Sequence, residues 1–192
     1  MTGDDTMKLK KINATLGLIS IVTMLVHIGY TDYAYLAFYY NPMLKQLTSL
    51  PFMIVTCLHA VCGMAAVFLQ SDGTRMDLYP KQNLKTVIQR LTAALILPLL
   101  FLHIKTYDLL RSSAEGGQWF AFALLMLSQP LFYADVLAHA SLSLSRGLIS
   151  LGWLSSREGQ VRLDRIAVAV AAVLFAITVF AVVKGQLAMF LK

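Results

Sequence analysis

VIQRLTAALILPLLFLH, residues 87–103, decides the class of this chain. After Arg90 the run carries no charge until it reaches an ionisable ring, His103. A bilayer-crossing helix needs about 20 apolar residues, and with the residues that follow, up to Leu110, the segment is long enough. Four more segments of the same kind occur, so that the candidate spans are residues 12–38, 50–70, 86–110, 118–149 and 166–190. The alternating segments of ~10 residues that mark a membrane barrel are absent. In lipid every backbone N–H and C=O must pair within its own element, which leaves helices. The expected fold is all-α: one membrane domain over residues 1–192, a bundle of five transmembrane helices.

Composition agrees. Of 192 residues, 58% are hydrophobic and 14% charged, where a soluble domain has about a quarter charged. Mean hydropathy is +0.68. The connections expected at 40–51, 71–85, 111–118 and 155–165 are short and rich in turn formers or charge,. They leave no room for a soluble catalytic domain. The opening MTGDDTMKLKKINA does not read as a cleaved secretion signal,. The net charge of +6 does not indicate nucleic-acid binding, because the basic residues sit at segment ends. Eleven of the sixteen Lys and Arg residues fall on the side of the N-terminus and the second and fourth connections. The positive-inside rule then puts the N-terminus in the cytoplasm and the C-terminus outside, in a bacterial-type inner membrane. Tyr30, Tyr33, Tyr35, Tyr39 and Tyr40 crowd the far end of the first span, as an interfacial aromatic belt or as the wall of a ring-binding pocket.

His103 is one of four histidines, and each of the first four spans holds one: His27, His59, His103 and His139. Ionisable groups in a span are costly and are usually functional. Counted from the charged inner ends at ~1.5 Å per residue, His27 and His103 lie roughly 24 and 20 Å up, and His59 and His139 roughly 16 and 10 Å up. They sort into an outer pair, His27/His103, and an inner pair, His59/His139, each drawn from two helices. Two imidazoles at one depth on facing helices are what a six-coordinate haem b takes as axial ligands. Ligation also satisfies a ring nitrogen that lipid would leave bare. Ala60, Gly63 and Ala66 near His59, and Ala138, Ala140, Ser143 and Gly147 near His139, are small enough to admit a macrocycle, although small residues also serve plain helix packing,. Zinc and di-iron sites want thiolates or carboxylates nearby. The one acidic residue deep in a span is Asp135. Cys57 and Cys62 lie five apart in one span, outside any CxxC or CxxCH motif. A histidine proton relay in a small transporter is the remaining alternative, together with a two-haem cytochrome b of some other redox complex.

Three stretches resemble one family. VIQRLTAALILPLLFLH (87–103) is similar to an IQ-x-x-T-G stretch leading to an outer-haem ligand, LHAVCGM (58–64) to an inner-ligand segment, and AHASLSLSRGLISLGW (138–153) to an H-G-S-x-G-L-x-R…W-G run. These are features of the single-chain, two-haem cytochrome b anchor of succinate:quinone oxidoreductases, the succinate dehydrogenases and quinol:fumarate reductases. The resemblance implies two haems b, ligated by His59/His139 and His27/His103. It implies a propionate contact at Arg146 and further polar contacts at Gln89, Arg90, Thr92 and Asn13. It also implies a flavoprotein and an iron–sulfur partner on the cytoplasmic face and a membrane quinone as substrate. Near the outer ligands, Tyr30, Asp32, Lys105, Tyr107 and Asp108 are the candidates for the quinone site. The chain departs from the family at Ala93, where a glycine is usual, and at Leu137, where some members carry a glutamate. Asp135, one turn before His139, is the candidate substitute for that glutamate as a proton relay.

Overall fold

A computed structural model describes the backbone of residues 3–69 and 80–191, and the side chains of 7–66 and 84–191. The described residues form five helices: α1 (Gly3–Ala37), α2 (Pro42–Leu69), α3 (Pro80–Glu115), α4 (Trp119–Ser150) and α5 (Arg157–Phe190). All five are long and apolar enough to cross a bilayer, so the chain is built as a multi-pass membrane protein.

The helices run further than the apolar segments do. Residues 42–51, expected as a connection, belong to α2. The side chain of Asn41 explains this: its Oδ1 accepts from the backbone N–H of Met43 at 3.0 Å and of Leu44 at 3.2 Å. That is an N-cap followed by a proline at the first helical position, where a missing N–H costs nothing. Pro51, Pro98 and Pro130 sit inside α2, α3 and α4, as membrane helices tolerate. α3 runs on to Glu115, where Glu115 Oε1 accepts from Arg111 Nε at 2.9 Å one turn away. α5 starts at Arg157 rather than near 166, because Ser156 Oγ accepts from Gly159 N at 3.1 Å. Polar residues beyond an apolar segment therefore extend the helix and leave links of a few residues. Most of the expected 71–85 connection, with Arg75, and Gln70 just before it lie outside the described residues.

α1 and α2 form one antiparallel hairpin, joined by Ser20 Oγ to Thr56 Oγ1 at 2.8 Å. α3 and α4 form the other, and α5 packs on α4 and α1. α1 and α4 also touch, so α1, α4 and α5 make a central triangle with α2 and α3 outside it. Among the described residues, α2 does not pack closely on α3 or α4, nor α1 on α3. The end where α1, α3 and α5 begin is called proximal here, and the opposite end distal. The distal half holds a small core of Leu100, Phe132, Tyr133 and Val182. Beyond that core, Ala14, Met24, Leu110, Phe122, Leu137 and Ala181 are buried together with polar side chains, among them Thr106, Ser113, Gln129, Ser145, Thr178 and Gln186, while many large apolar side chains point outward. This is the reverse of a soluble protein and suits helices that associate through small and polar residues in lipid.

Candidate functional site

The four histidines meet across the gaps between helices that do not pack on each other. His59 of α2 faces His139 of α4, with ring centroids 6.3 Å apart and planes tilted by 59°. His27 of α1 and His103 of α3 line one cavity with Met24, Phe52, Phe132 and Tyr133. His27 stacks on Phe52 at 5.9 Å, and His103 stacks on Phe132 at 4.7 Å. One pair lies in the proximal half and the other in the distal half, and each joins the first hairpin to the second.

Every one of the four rings is held through Nδ1. His59 Nδ1 lies 3.1 Å from the backbone oxygen of Asn13, and His139 Nδ1 lies 3.1 Å from that of Gln89. A carbonyl only accepts, so both rings carry the proton on Nδ1 and leave Nε2 as an acceptor, which in His139 lies 3.5 Å from Ser143 Oγ. Thr92 Oγ1 is also 3.1 Å from His139 Nδ1. In the distal pair, His103 Nδ1 donates to Gln129 Oε1 at 3.0 Å. His27 Nδ1 has its longer contact with Thr48 Oγ1 at 3.5 Å, whose own hydrogen goes to Leu44 O at 2.9 Å. Metal-ligating histidines characteristically donate their second nitrogen in this way, which fixes tautomer and ring orientation.

The proximal geometry suits a shared metal. An imidazole nitrogen sits about 2.0 Å from its metal, which puts the centres of two rings on one ion roughly 6 Å apart. His59 reaches its place because α1 has a glycine there. A Cβ on Gly17 would come within 3.0 Å of His59 Cε1. Among the described residues no three His, Cys, Asp or Glu side chains converge. The donor set is thus two neutral imidazoles per site, which fits an axial pair on a macrocycle that brings its own four nitrogens. The distal cavity is narrow, about 40 Å³, and almost wholly apolar. A macrocycle would fit there only if the two hairpins parted along the α1–α3 seam, which direct helix packing does not close.

The polar residues expected around the proximal pair are gathered there, though chiefly as partners of the histidines. Gln89 is the hub. Its carbonyl holds His139, its Nε2 donates to Ser143 Oγ at 2.8 Å, and its Oε1 accepts from Arg146 Nη1. Arg146 is half-buried, with Arg90 close enough to oppose its charge. Asn13 supplies the carbonyl for His59, while its own Oδ1 is buried without a partner. Next to this group, Asp164 of α5 pairs with Lys85 of α3 at 2.7 Å and accepts from Ser145 of α4 at 2.6 Å.

The distal candidates do not converge, and none of the five lines the His27–His103 cavity. The Tyr30 hydroxyl donates to Asn41 O at 2.8 Å and accepts from Asn41 N at 3.0 Å, so it braces the α1–α2 link. Asp32 is buried against α5, where it accepts from Thr178 Oγ1 at 3.0 Å. Lys105, Tyr107 and Asp108 are exposed on α3, and the Tyr107 ring packs on Phe190. Asp135 is half-buried on α4, and its Oδ2 has no partner.

Sequence reading missed Gln129, which is 2% exposed and accepts from both His103 and the Tyr133 hydroxyl, the latter at 3.1 Å. A lone amide in the apolar run LMLSQPLFYADV (125–136) was the available signal. Compared with protein-family models, curated proteins and solved structures, the chain matches none.

Proposed function

We propose that this chain is a membrane-embedded cytochrome b subunit holding two haems b, which passes electrons between soluble redox partners and a membrane quinone. The observation that carries the reading is the fourfold pattern. Four histidines on four helices pair across two unpacked seams, each with a partner at Nδ1. A histidine proton relay fits this less well, because a relay ring passes protons through both nitrogens, and here Nδ1 is tied to an acceptor.

In this reading His59 and His139 hold the proximal haem, and His27 and His103 hold the distal one. Bound there, haem supplies reversible one-electron exchange. The chain's own residues set the terms. The carbonyls of Asn13 and Gln89, with Thr92, orient the proximal imidazoles, and Gln129 orients His103. Arg146, steered by Gln89, offers a guanidinium for a propionate carboxylate, a charge-assisted match. Phe52, Phe132 and Tyr133 keep water from the distal pair. The exposed basic residues of the proximal end, among them Lys10, Lys11, Arg157, Arg162 and Arg165, would receive the partners. The resemblance to the succinate:quinone oxidoreductase anchor specifies these as a flavoprotein and an iron–sulfur protein acting on a dicarboxylate, with the proximal end cytoplasmic in a bacterial-type inner membrane. Cytochromes b of other redox complexes remain the second reading for the partners alone.

The test is a dithionite-reduced minus oxidised spectrum of the purified chain, with haem counted as its pyridine haemochrome. The expected result is two haems b per chain. His59→Ala and His103→Ala should each remove a different one. A colourless chain expressed with ample haem would overturn the proposal.

A further inference from the structure

One face of α4 turns three side chains toward His103. Gln129, Phe132 and Tyr133 stand at i, i+3 and i+4, a spacing that places them side by side on a helix. Phe132 stacks on the His103 ring with centroids 4.7 Å apart, and the Tyr133 ring meets it edge-on at 5.8 Å. Gln129 Oε1 lies 3.0 Å from His103 Nδ1 and 3.1 Å from the Tyr133 hydroxyl. Gln129 and Tyr133 are both buried, so their polar atoms must find partners inside the protein.

The hydrogens of this cluster have one consistent arrangement. The Ser128 hydroxyl donates to Leu125 O at 2.7 Å, so its oxygen accepts from Gln129 Nε2 at 3.5 Å. That leaves the amide oxygen turned to His103. Among the described residues this oxygen is the one acceptor that the Tyr133 hydroxyl meets. Reversing the amide would strand the Tyr133 hydrogen and aim an N–H at His103 Nδ1. The ring would then carry its proton on Nε2, the nitrogen that a metal needs. One oxygen therefore serves two donors, the imidazole and the phenol. An amide oxygen has two lone pairs and can hold both. The two bonds draw on the same electron density, and since hydrogen bonds polarise one another, each weakens the other.

We propose that Tyr133 is a positioning residue that sets the redox potential of the distal site through Gln129. The inference rests on the haem reading of the His27–His103 pair. An imidazole that donates strongly from Nδ1 is a more basic ligand at Nε2. A more basic ligand favours ferric iron and lowers the potential, and hydrogen bonding around the ligands is one of the levers by which a protein tunes a haem. Tyr133 takes up part of the accepting capacity of Gln129 Oε1. His103 then donates less, remains the weaker ligand and keeps the distal potential up. The hydroxyl lies on Gln129 and not on the imidazole nitrogen, so its route runs through the amide. An uncharged group thus tunes a site deep in the bundle, where a charge would be costly.

The test uses Tyr133→Phe, which removes the hydroxyl and keeps a ring beside His103. Redox potentials of the full chain are measured with excess haem, and the distal step is identified as the one that His103→Ala abolishes. The distal potential should fall in Tyr133→Phe. At the parent midpoint the oxidised-to-reduced ratio should rise about threefold, the effect of a fraction of one hydrogen bond. The proximal potential should not move. The low-spin EPR signal of the distal haem should shift toward a stronger axial field. In a Gln129→Leu background the same substitution should leave the distal potential where it is, because its route is gone. A distal potential that stays or rises in Tyr133→Phe overturns the inference. So does an equal fall in the Gln129→Leu background, which would mean that the hydroxyl acts on the site directly. Both outcomes leave the two-haem reading intact. A parent chain without a distal haem overturns the two-haem reading beneath it.

Discussion

Gln129 shows what one amide does in an apolar helix. Its oxygen takes two hydrogen bonds, from the His103 ring and from Tyr133. Gln129→Leu strips both donors of their acceptor in a buried site, at a cost of about 1–3 kcal/mol for each group left unsatisfied. The variant should unfold at lower temperature in detergent. It should also bind the distal haem ~10–100-fold more weakly, the usual effect of losing a ligand's outer partner. Haem titration followed by the spectral step missing in His103→Ala checks this. Gly17 makes the matching point in the proximal half. Gly17→Ala puts a methyl 3.0 Å from His59 Cε1, so the ring must shift from the place it holds opposite His139. The expected outcome is a proximal haem that is lost or becomes five-coordinate, with the distal spectrum unchanged. At this scale the histidines were legible in the sequence because an ionisable ring in an apolar run stands out. Their partners were not. Two of the four Nδ1 acceptors are backbone carbonyls, which every residue has, so no pattern of side chains announces them.

At the scale of elements, the apolar runs located the five helices, but the runs did not bound them. Hydropathy marks where lipid stops, and a helix ends where its backbone finds a cap. Asn41 caps α2 nine residues before the apolar run at 50 begins, and Ser156 caps α5 about as far before its own. Asn41→Ala should therefore cost about 1 kcal/mol through the lost cap. Asn41→Asp keeps an accepting oxygen at that position and should restore most of it. Thermal unfolding of the two variants side by side measures the difference. The α1–α5 seam was also invisible in the sequence. Nothing in the sequence singles out Gly185 and Gln186 within the last span, and only the packing against Tyr35 gives them a role. Gly185→Ala should push Tyr35 out of the seam and destabilise the distal half more than the proximal half. Faster hydrogen exchange in α5 beyond Thr178 than before it would report that asymmetry.

The whole molecule is two hairpins and a fifth helix, with the hairpins in contact through α1 and α4 but open where the histidine pairs face each other. Sequence depth counts could sort the four rings into two levels, because rise per residue is fixed. They could not show that each pair spans a seam without helix packing, since which helices touch is a property of the fold. That architecture makes a definite thermodynamic demand. A ligand that binds the folded chain and not the unfolded one adds RT ln(1 + [L]/Kd) to stability, about 4 kcal/mol at a thousandfold excess over Kd. In the proposed two-haem reading the ligand would also tie one hairpin to the other at two levels. Depletion of haem during expression should therefore lower the unfolding temperature and loosen the hairpins relative to each other, while each hairpin keeps its own contacts, such as Ser20–Thr56 and Gln89–Ser143. Spin labels on exposed Leu58 of α2 and Leu91 of α3 should give a broad distance distribution in haem-free chain and a narrow one when both haems are bound. Labels within one hairpin should give the same distribution in either state. Equal widths between hairpins, with and without haem, would show that the bundle is rigid by itself and that the pairs do not serve as its clasp.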